Sequence, residues 1–176
     1  MNFTEDKRLP KQLGDFGESL IMFLIGQIYE HKVAMVDHVG ADIIATNRLE
    51  GDENKTYAIS VKTRCFKTDG PQFEFNVDQQ KKLEEFAADF EKMIPTVAFV
   101  SIDKIEPDID VNIDVYIIEL KDFRELAGKI PGITVTGINH DILHFSNAKR
   151  NQKVLQSHKL INHHRLTLRK EMVITN

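Results

Sequence analysis

Asp42 and Lys62 stand where a folded core would not ordinarily place a charge. Asp42 opens the apolar run Ile43-Ile44-Ala45, and Lys62 follows Ala58, Ile59 and Val61. Both runs read as β-strands, and the polar loop "NRLEGDENK" between them favours an antiparallel hairpin. Side chains alternate along a strand, so Ser60, Lys62 and Arg64 share one face while Ile59, Val61 and Thr63 take the other. Folding the hairpin about Gly51 or Asp52 sets Asp42 opposite Ser60 or Lys62, and both registers keep these three residues on one face. Directly opposed residues bring their Cβ atoms to about 5 Å. A carboxylate and an ammonium therefore converge at one end of a half-buried hairpin. They are a cross-strand ion pair worth under about 1 kcal/mol, a lysine guarding a sheet edge, or the charged half of a reaction site.

A third group bears on that choice. Glu18 lies in line with Met22, Ile25 and Tyr29, an apolar helical stripe expected to face the sheet. Glu18 also has a purely local explanation: Asp15 as N-cap with Glu18 at the third helical position makes a capping box.

These residues need elements to hold them. The stretch "GDFGESLIMFLIGQIYE" predicts a well-buried helix over 16–30. Strands are expected at "KVAMVDHV", "ADIIAT" and "TYAISVKTR". An amphipathic helix follows in "NVDQQKKLEEFAADFEKM", with Val77, Leu83, Phe86, Ala87 and Phe90 on one side, and then the buried strand "IPTVAFVSI". Further on come a strand at "VNIDVYIIEL", a short helix near "KDFRELAG", strands near "ITVT" and "DILHF", a helix across "NAKRNQKVLQSHK" and a last strand at "RLTLRKEMVI". The helix between the third and fourth strands permits a parallel crossover, so the sheet should be mixed and covered by a helix on each side. One α/β domain over residues 1–176 is expected, with a core at about 12–101 and C-terminal additions that include a basic segment at about 142–176.

Gly17-Glu18, Gly40-Ala41-Asp42 and Ser60-Val61-Lys62 together resemble the motif set of the PD-(D/E)xK nuclease superfamily. Archaeal Holliday-junction resolvase-like and restriction endonuclease-like members look closest. The resemblance implies a restriction-endonuclease-like αβββαβ core, the element order read above. It also implies a metal-dependent endonuclease that hydrolyses DNA phosphodiester bonds with Mg²⁺ or Mn²⁺. Asp42 would be the central metal ligand, the Val61 carbonyl a second, and Glu18 a ligand directly or through water. Lys62 would position or activate the attacking water. Two positions depart from the family pattern: Ala41 replaces the usual proline, and Ser60 replaces an acid two residues before the lysine. The missing carboxylate would be recruited from Glu74 or Asp78, near the start of the second helix, or the site has decayed. Neither Gln79 nor Gln80 is followed four residues later by tyrosine, so the RecB-like variant is not supported.

Charge distribution agrees with a polyanionic partner. The chain carries −4 overall, yet residues 142–170 hold seven Lys/Arg and no acid, leaving −11 on the remainder. Lys149, Arg150 and Lys153, with Arg64 on the strand, are the candidate nucleic-acid contacts; a solvated helix face paired with the acidic body is the alternative. The single cysteine, Cys65, excludes an internal disulfide and points to a reducing compartment; by strand parity it should be a core residue. Without an apolar leader or a long apolar run, a cytoplasmic protein with no membrane partner is expected. His140 and His144 have a zinc-compatible spacing only if helical, and their flanks read as strand. His163 and His164 beside Arg165 are phosphate-contact candidates or simple surface. DNA is thus the expected partner, with a homodimer left open. The rivals are a nuclease-fold protein that binds without cleaving, and a protein-interaction module with a structural Asp–Lys pair.

Overall fold

The structure is a computed structural model, and it describes residues 9–36, 38–47, 55–65, 72–90, 92–102, 111–129, 140–144 and 162–168. Helix α1 (Leu9–Phe23) leads into a π-helical turn at Leu24–Ile28. It begins well before the expected start at Phe16, so Asp15 is interior and caps nothing. Ser19 Oγ donates to the Asp15 carbonyl at 2.8 Å, a bond within the helix. The capping box is thereby corrected. Pro10 marks the true first turn, where N–H groups have no intrahelical acceptor and proline is tolerated.

Strands β1 (Lys32–Met35), β2 (Ile43–Thr46) and β3 (Thr56–Cys65) follow, then β4 (Gln72–Asn76), α2 (Val77–Asp89), β5 (Ile94–Ile102) and β6 (Val111–Glu119). Helix α3 (Leu120–Lys129), β7 (His140–His144) and β8 (Asn162–Leu168) complete the described elements. The main sheet runs β1-β2-β3-β5-β6-β8. Every pairing in it is antiparallel except β3–β5, which α2 connects in parallel. This is an α/β fold with a central mixed sheet flanked by helices. The expected order of helix, three strands, helix, strand is present with one insertion. That insertion, β4, pairs with β7 in a separate two-stranded sheet. Its signal was the alternation in "QFEFN", but a strand so short needs its partner to form. Strands β6 and β8 extend the main sheet beyond the expected core.

The two faces of the sheet carry two cores. Ile21, Leu24 and Ile25 pack against Ile43, Ile59, Val61, Ala98 and Val115 on the face that α1 covers. Leu83, Phe86 and Ala87 of α2 pack with Ala41, Ala58, Val97 and Phe99 on the other. Phe75 of β4 and Phe123 of α3 join this second core, with ring centroids 6.2 Å apart. Strand parity therefore separates the faces of β3 as expected, with Ser60 and Lys62 turned away from the α1 core.

Other expectations are corrected. Cys65 is exposed, because β3 runs out past both cores at its last two residues. The strand expected near "DILHF" is present as β7, with His140 and His144 at its two ends, about 13 Å apart at strand rise, so they do not share the helix face that a zinc pair would need. Phe90 is also exposed, beyond the end of α2. Strand β8 starts earlier than expected and carries His163, His164 and Arg165, with Arg165 at the register position opposite Asp114. The strand near "ITVT", the helix across "NAKRNQKVLQSHK" and the basic residues Lys149, Arg150 and Lys153 lie outside the described residues.

Candidate active site

The site forms where β2 begins. Asp42 N donates at 2.9 Å to the carbonyl of Ile59, the residue already paired with Ile43, so Asp42 steps out of the regular β2–β3 register just before β2 and stands beside Ser60. Of the two hairpin registers, the one centred on Gly51 is realised. Beyond that point the chain leaves the ladder, and the Asp42 carbonyl accepts from Val36 N at 2.9 Å. The next strand N–H on β3 is served by a side chain instead: Val61 N donates to Asp42 Oδ2 at 2.6 Å. The Val61 carbonyl leaves the strand on the same edge as its N–H, the edge that Asp42 occupies.

Ser60 joins the two charges. Its Oγ accepts from Lys62 Nζ at 2.9 Å and donates to Asp42 Oδ2 at 3.3 Å. Ser60 itself is buried, so this bridge is shielded from competing water. Asp42 Oδ1 has no protein partner among the described residues. Lys62 is partly buried, and its Nζ lies 5.2 Å from the centre of the Phe75 ring. Burial pushes the Lys62 pKa below the ordinary lysine value, while the charges of Asp42 and Glu18 pull it partly back. Glu18 is thus within electrostatic reach of the ammonium, although its helix packs on the opposite face.

Two glycines permit these approaches. A Cβ on Gly17 would lie 1.8 Å from Thr63 Oγ1, so α1 rests its bare backbone on the Thr63 side chain of β3 and Glu18 follows. A Cβ on Gly40 would lie 2.3 Å from the Lys82 carbonyl oxygen, so the loop that delivers Asp42 lies directly on α2. His38 steadies that loop by accepting from Gly40 N at 3.3 Å, with its ring 4.6 Å from that of Phe86.

The remaining candidates are placed as follows. Arg64 shares the Lys62 face and is exposed. Glu74 stands in β4 opposite Ile142, and its side chain lies outside the described residues. Asp78 is exposed in the first turn of α2, where Asn76 Oδ1 caps its N–H at 2.7 Å. Among the described residues no three His, Cys, Asp or Glu side chains gather into a group able to hold a metal ion.

Sequence reasoning missed two contributors. Phe75, hidden in the unassigned β4, closes over Lys62. Gln80 is fully buried, donating to the Phe75 carbonyl at 2.8 Å and accepting from Arg124 Nε at 2.7 Å. Arg124 also forks onto Glu84, at 2.5 and 3.0 Å. The polar run "DQQKK" gave no hint that one of its glutamines turns inward.

The site combines a carboxylate, a serine and a lysine of lowered pKa where the β2–β3 ladder of a mixed sheet breaks off, within an α/β fold. No protein-family model matches the chain, and no curated protein does. Among solved structures, the Holliday junction resolvase Hjc of the archaeal hyperthermophile Archaeoglobus fulgidus is similar at 15% identity and a TM-score of 0.48, covering 74% of this chain and 83% of that one. The residues of the site, and not this likeness, carry the function proposed below.

Proposed function

We propose that the protein is a metal-dependent endonuclease that hydrolyses phosphodiester bonds in DNA. The observation that carries this reading is the Lys62–Ser60–Asp42 chain, which ends on Asp42 Oδ2 and leaves the other carboxylate oxygen, Oδ1, without a protein partner among the described residues, beside the Val61 backbone. Mg²⁺ keeps several waters and binds through one or two carboxylates plus substrate phosphates. Asp42 Oδ1, the Val61 carbonyl and Glu18, directly or through water, are oxygen donors of that kind, and Glu74 or Asp78 are the candidates for a further carboxylate. The donor set fits Mg²⁺ or Mn²⁺ as a water-rich ion, not as a fully caged one. When bound, the ion supplies a water of lowered pKa and polarises the scissile phosphate.

The protein's own groups do the rest. Lys62 is held by Ser60 and by the Phe75 ring, and burial eases the loss of its proton, so Nζ can exchange a proton with the attacking water. As an ammonium it faces the charge that builds on the phosphoryl oxygens. Ser60 occupies the position of the missing acid and fixes lysine and aspartate relative to one another without adding charge. Arg64 and the basic residues Lys149, Arg150 and Lys153 are assigned to the phosphate backbone.

A second reading, a nuclease-fold protein that binds DNA without cutting it, is favoured by the lack of a three-acid group among the described residues. The deciding experiment is a cleavage assay on duplex, junction and single-stranded DNA with Mg²⁺ or Mn²⁺, beside Lys62→Ala. Metal-dependent cleavage lost in Lys62→Ala, with binding retained, supports the first reading. Binding without cleavage under either metal supports the second. Neither binding nor cleavage of any form refutes both.

A further inference from the structure

The face covered by α1 holds a feature that the Asp42–Lys62 site does not use. A half-open cavity of about 190 Å³ lies between the end of the π-helical turn and the sheet, floored by Ala45, Ile59 and Ile117. It exists for local reasons. The π-turn at Leu24–Ile28 widens the helix, and such turns often mark functional positions. Glu30 then adopts a left-handed backbone, φ 54°, which is strained for a residue other than glycine, asparagine or aspartate. The chain is thereby carried off the sheet, and the small Ala45 leaves the floor low.

Aromatic rings line the cavity. His31 lies 6.2 Å from Tyr57 at a shallow 32°, and Tyr29 meets His31 edge-on at 6.2 Å. The polar groups among them have defined roles. His31 Nδ1 sits 2.6 Å from the Tyr29 carbonyl, so Nδ1 carries the proton and Nε2 is an acceptor. Burial lowers the His31 pKa and so favours the neutral ring. Asn47 Oδ1 is committed to Lys55 N at 3.0 Å, which leaves its amide N–H groups without a protein partner among the described residues. The Tyr57 hydroxyl stays protonated, since burial and then Glu119 raise its pKa.

We propose that this cavity binds a flat, uncharged nitrogen heteroaromatic ring of the nucleobase class, stacked among the three aromatic residues with its polar edge on Asn47 and His31. The size suffices, because an apolar cavity of about 150 Å³ already admits benzene. Polarity selects the class. A purely aliphatic ligand would displace water from the Asn47 amide without replacing its hydrogen bonds. An anionic ligand would meet the aliphatic floor and the nearby charge of Glu119. A nucleobase offers a face to stack and an edge with both donors and acceptors. It can arrive as a free nucleoside or as an unpaired base of a strand. Tyr57 and Lys62 are five residues apart on β3, about 17 Å at strand rise, so the two sites are physically separate. The inference does not depend on the nuclease reading.

The test uses 2-aminopurine riboside, and a single-stranded oligonucleotide carrying one 2-aminopurine, as fluorescent probes against the full chain, Tyr57→Leu and Ala45→Leu. Saturable quenching by the wild type is expected, at least tenfold weaker in Tyr57→Leu and abolished in Ala45→Leu, whose added methyl groups fill the floor. Loss in both variants with the riboside identifies a free nucleoside as ligand; loss with the oligonucleotide alone identifies a strand base. Circular dichroism certifies folding, and if Ala45→Leu fails to fold, Tyr57→Leu decides by itself. Absence of quenching with both probes, equal quenching by the folded variants, or displacement by cyclohexanol as effective as by adenine overturns the proposal.

Discussion

Replacing Gly40 by alanine tests whether the loop that delivers Asp42 owes its position to direct contact with α2. The added Cβ would stand 2.3 Å from the Lys82 carbonyl oxygen, 2.9 Å from its carbon and 3.0 Å from Phe86 Cβ. Two of these three neighbours are helix backbone, so no rotamer change relieves them. Helix and loop must separate by most of an ångström, opening the core between Ala41, Leu83 and Phe86. Overpacking costs about 1–3 kcal/mol, and rigid backbone on one side puts this case near the upper limit. At roughly 2–4 °C per kcal/mol for a chain of this size, Tm should fall by about 6–12 °C. Gly14→Ala is the matched control, because nothing lies within 4 Å of its added methyl and α1 gains a better helix former. That change should stabilise by up to about 1 kcal/mol. Thermal and urea denaturation of both variants measure the difference. A Gly40→Ala protein within about 1 kcal/mol of wild type, or a Gly14→Ala protein just as damaged, would refute the close-approach account.

Asp42→Ala leaves Val61 N and Ser60 Oγ without their acceptor and should destabilise by about 1–3 kcal/mol. Asp42→Asn keeps an oxygen there and should retain most of the stability while losing the carboxylate charge, so urea midpoints for the pair separate folding from function. His31, whose folded pKa is lowered by burial, takes up its proton more readily when unfolded. Stability should therefore decline as pH falls from about 6.5, with the slope confined to the window between that value and the lowered folded pKa; His31→Gln should flatten that slope, and an unchanged profile would contradict the burial of the ring. Reversing Lys149, Arg150 and Lys153 together should weaken DNA binding and lower the slope of log K against log salt by about 2–3; titrations at several salt concentrations check this, and an unaltered slope would remove the segment from the interface.

The sequence by itself determined the alternation along β3, the common face of Asp42, Ser60 and Lys62, and the mixed sheet, while the structure decided which of two hairpin registers forms. Each follows from short-range periodicity or loop length, which a chain cannot evade once its strands form. It also marked the charges worth asking about, because a lysine and an aspartate inside apolar runs are conspicuous without any structure. Tertiary structure alone decided what those charges touch. The serine bridge depends on the β2–β3 ladder stopping at Ile59, two residues short of Val61, so that a carboxylate takes a place the ladder would have filled. Phe75 covers Lys62 only because β4 finds β7 far along the chain. Gln80 turns inward because a buried carbonyl and Arg124 satisfy it there, which no local pattern encodes. The start of α1 differs from the expectation because Asp15 and Glu18 match a capping box locally, whereas the helix runs back to Leu9 and leaves Asp15 in its interior. Local propensities amount to tenths of a kcal/mol up to about 1 kcal/mol per residue. Burying a helix face stabilises by more, so wherever the two disagreed, the packing prevailed.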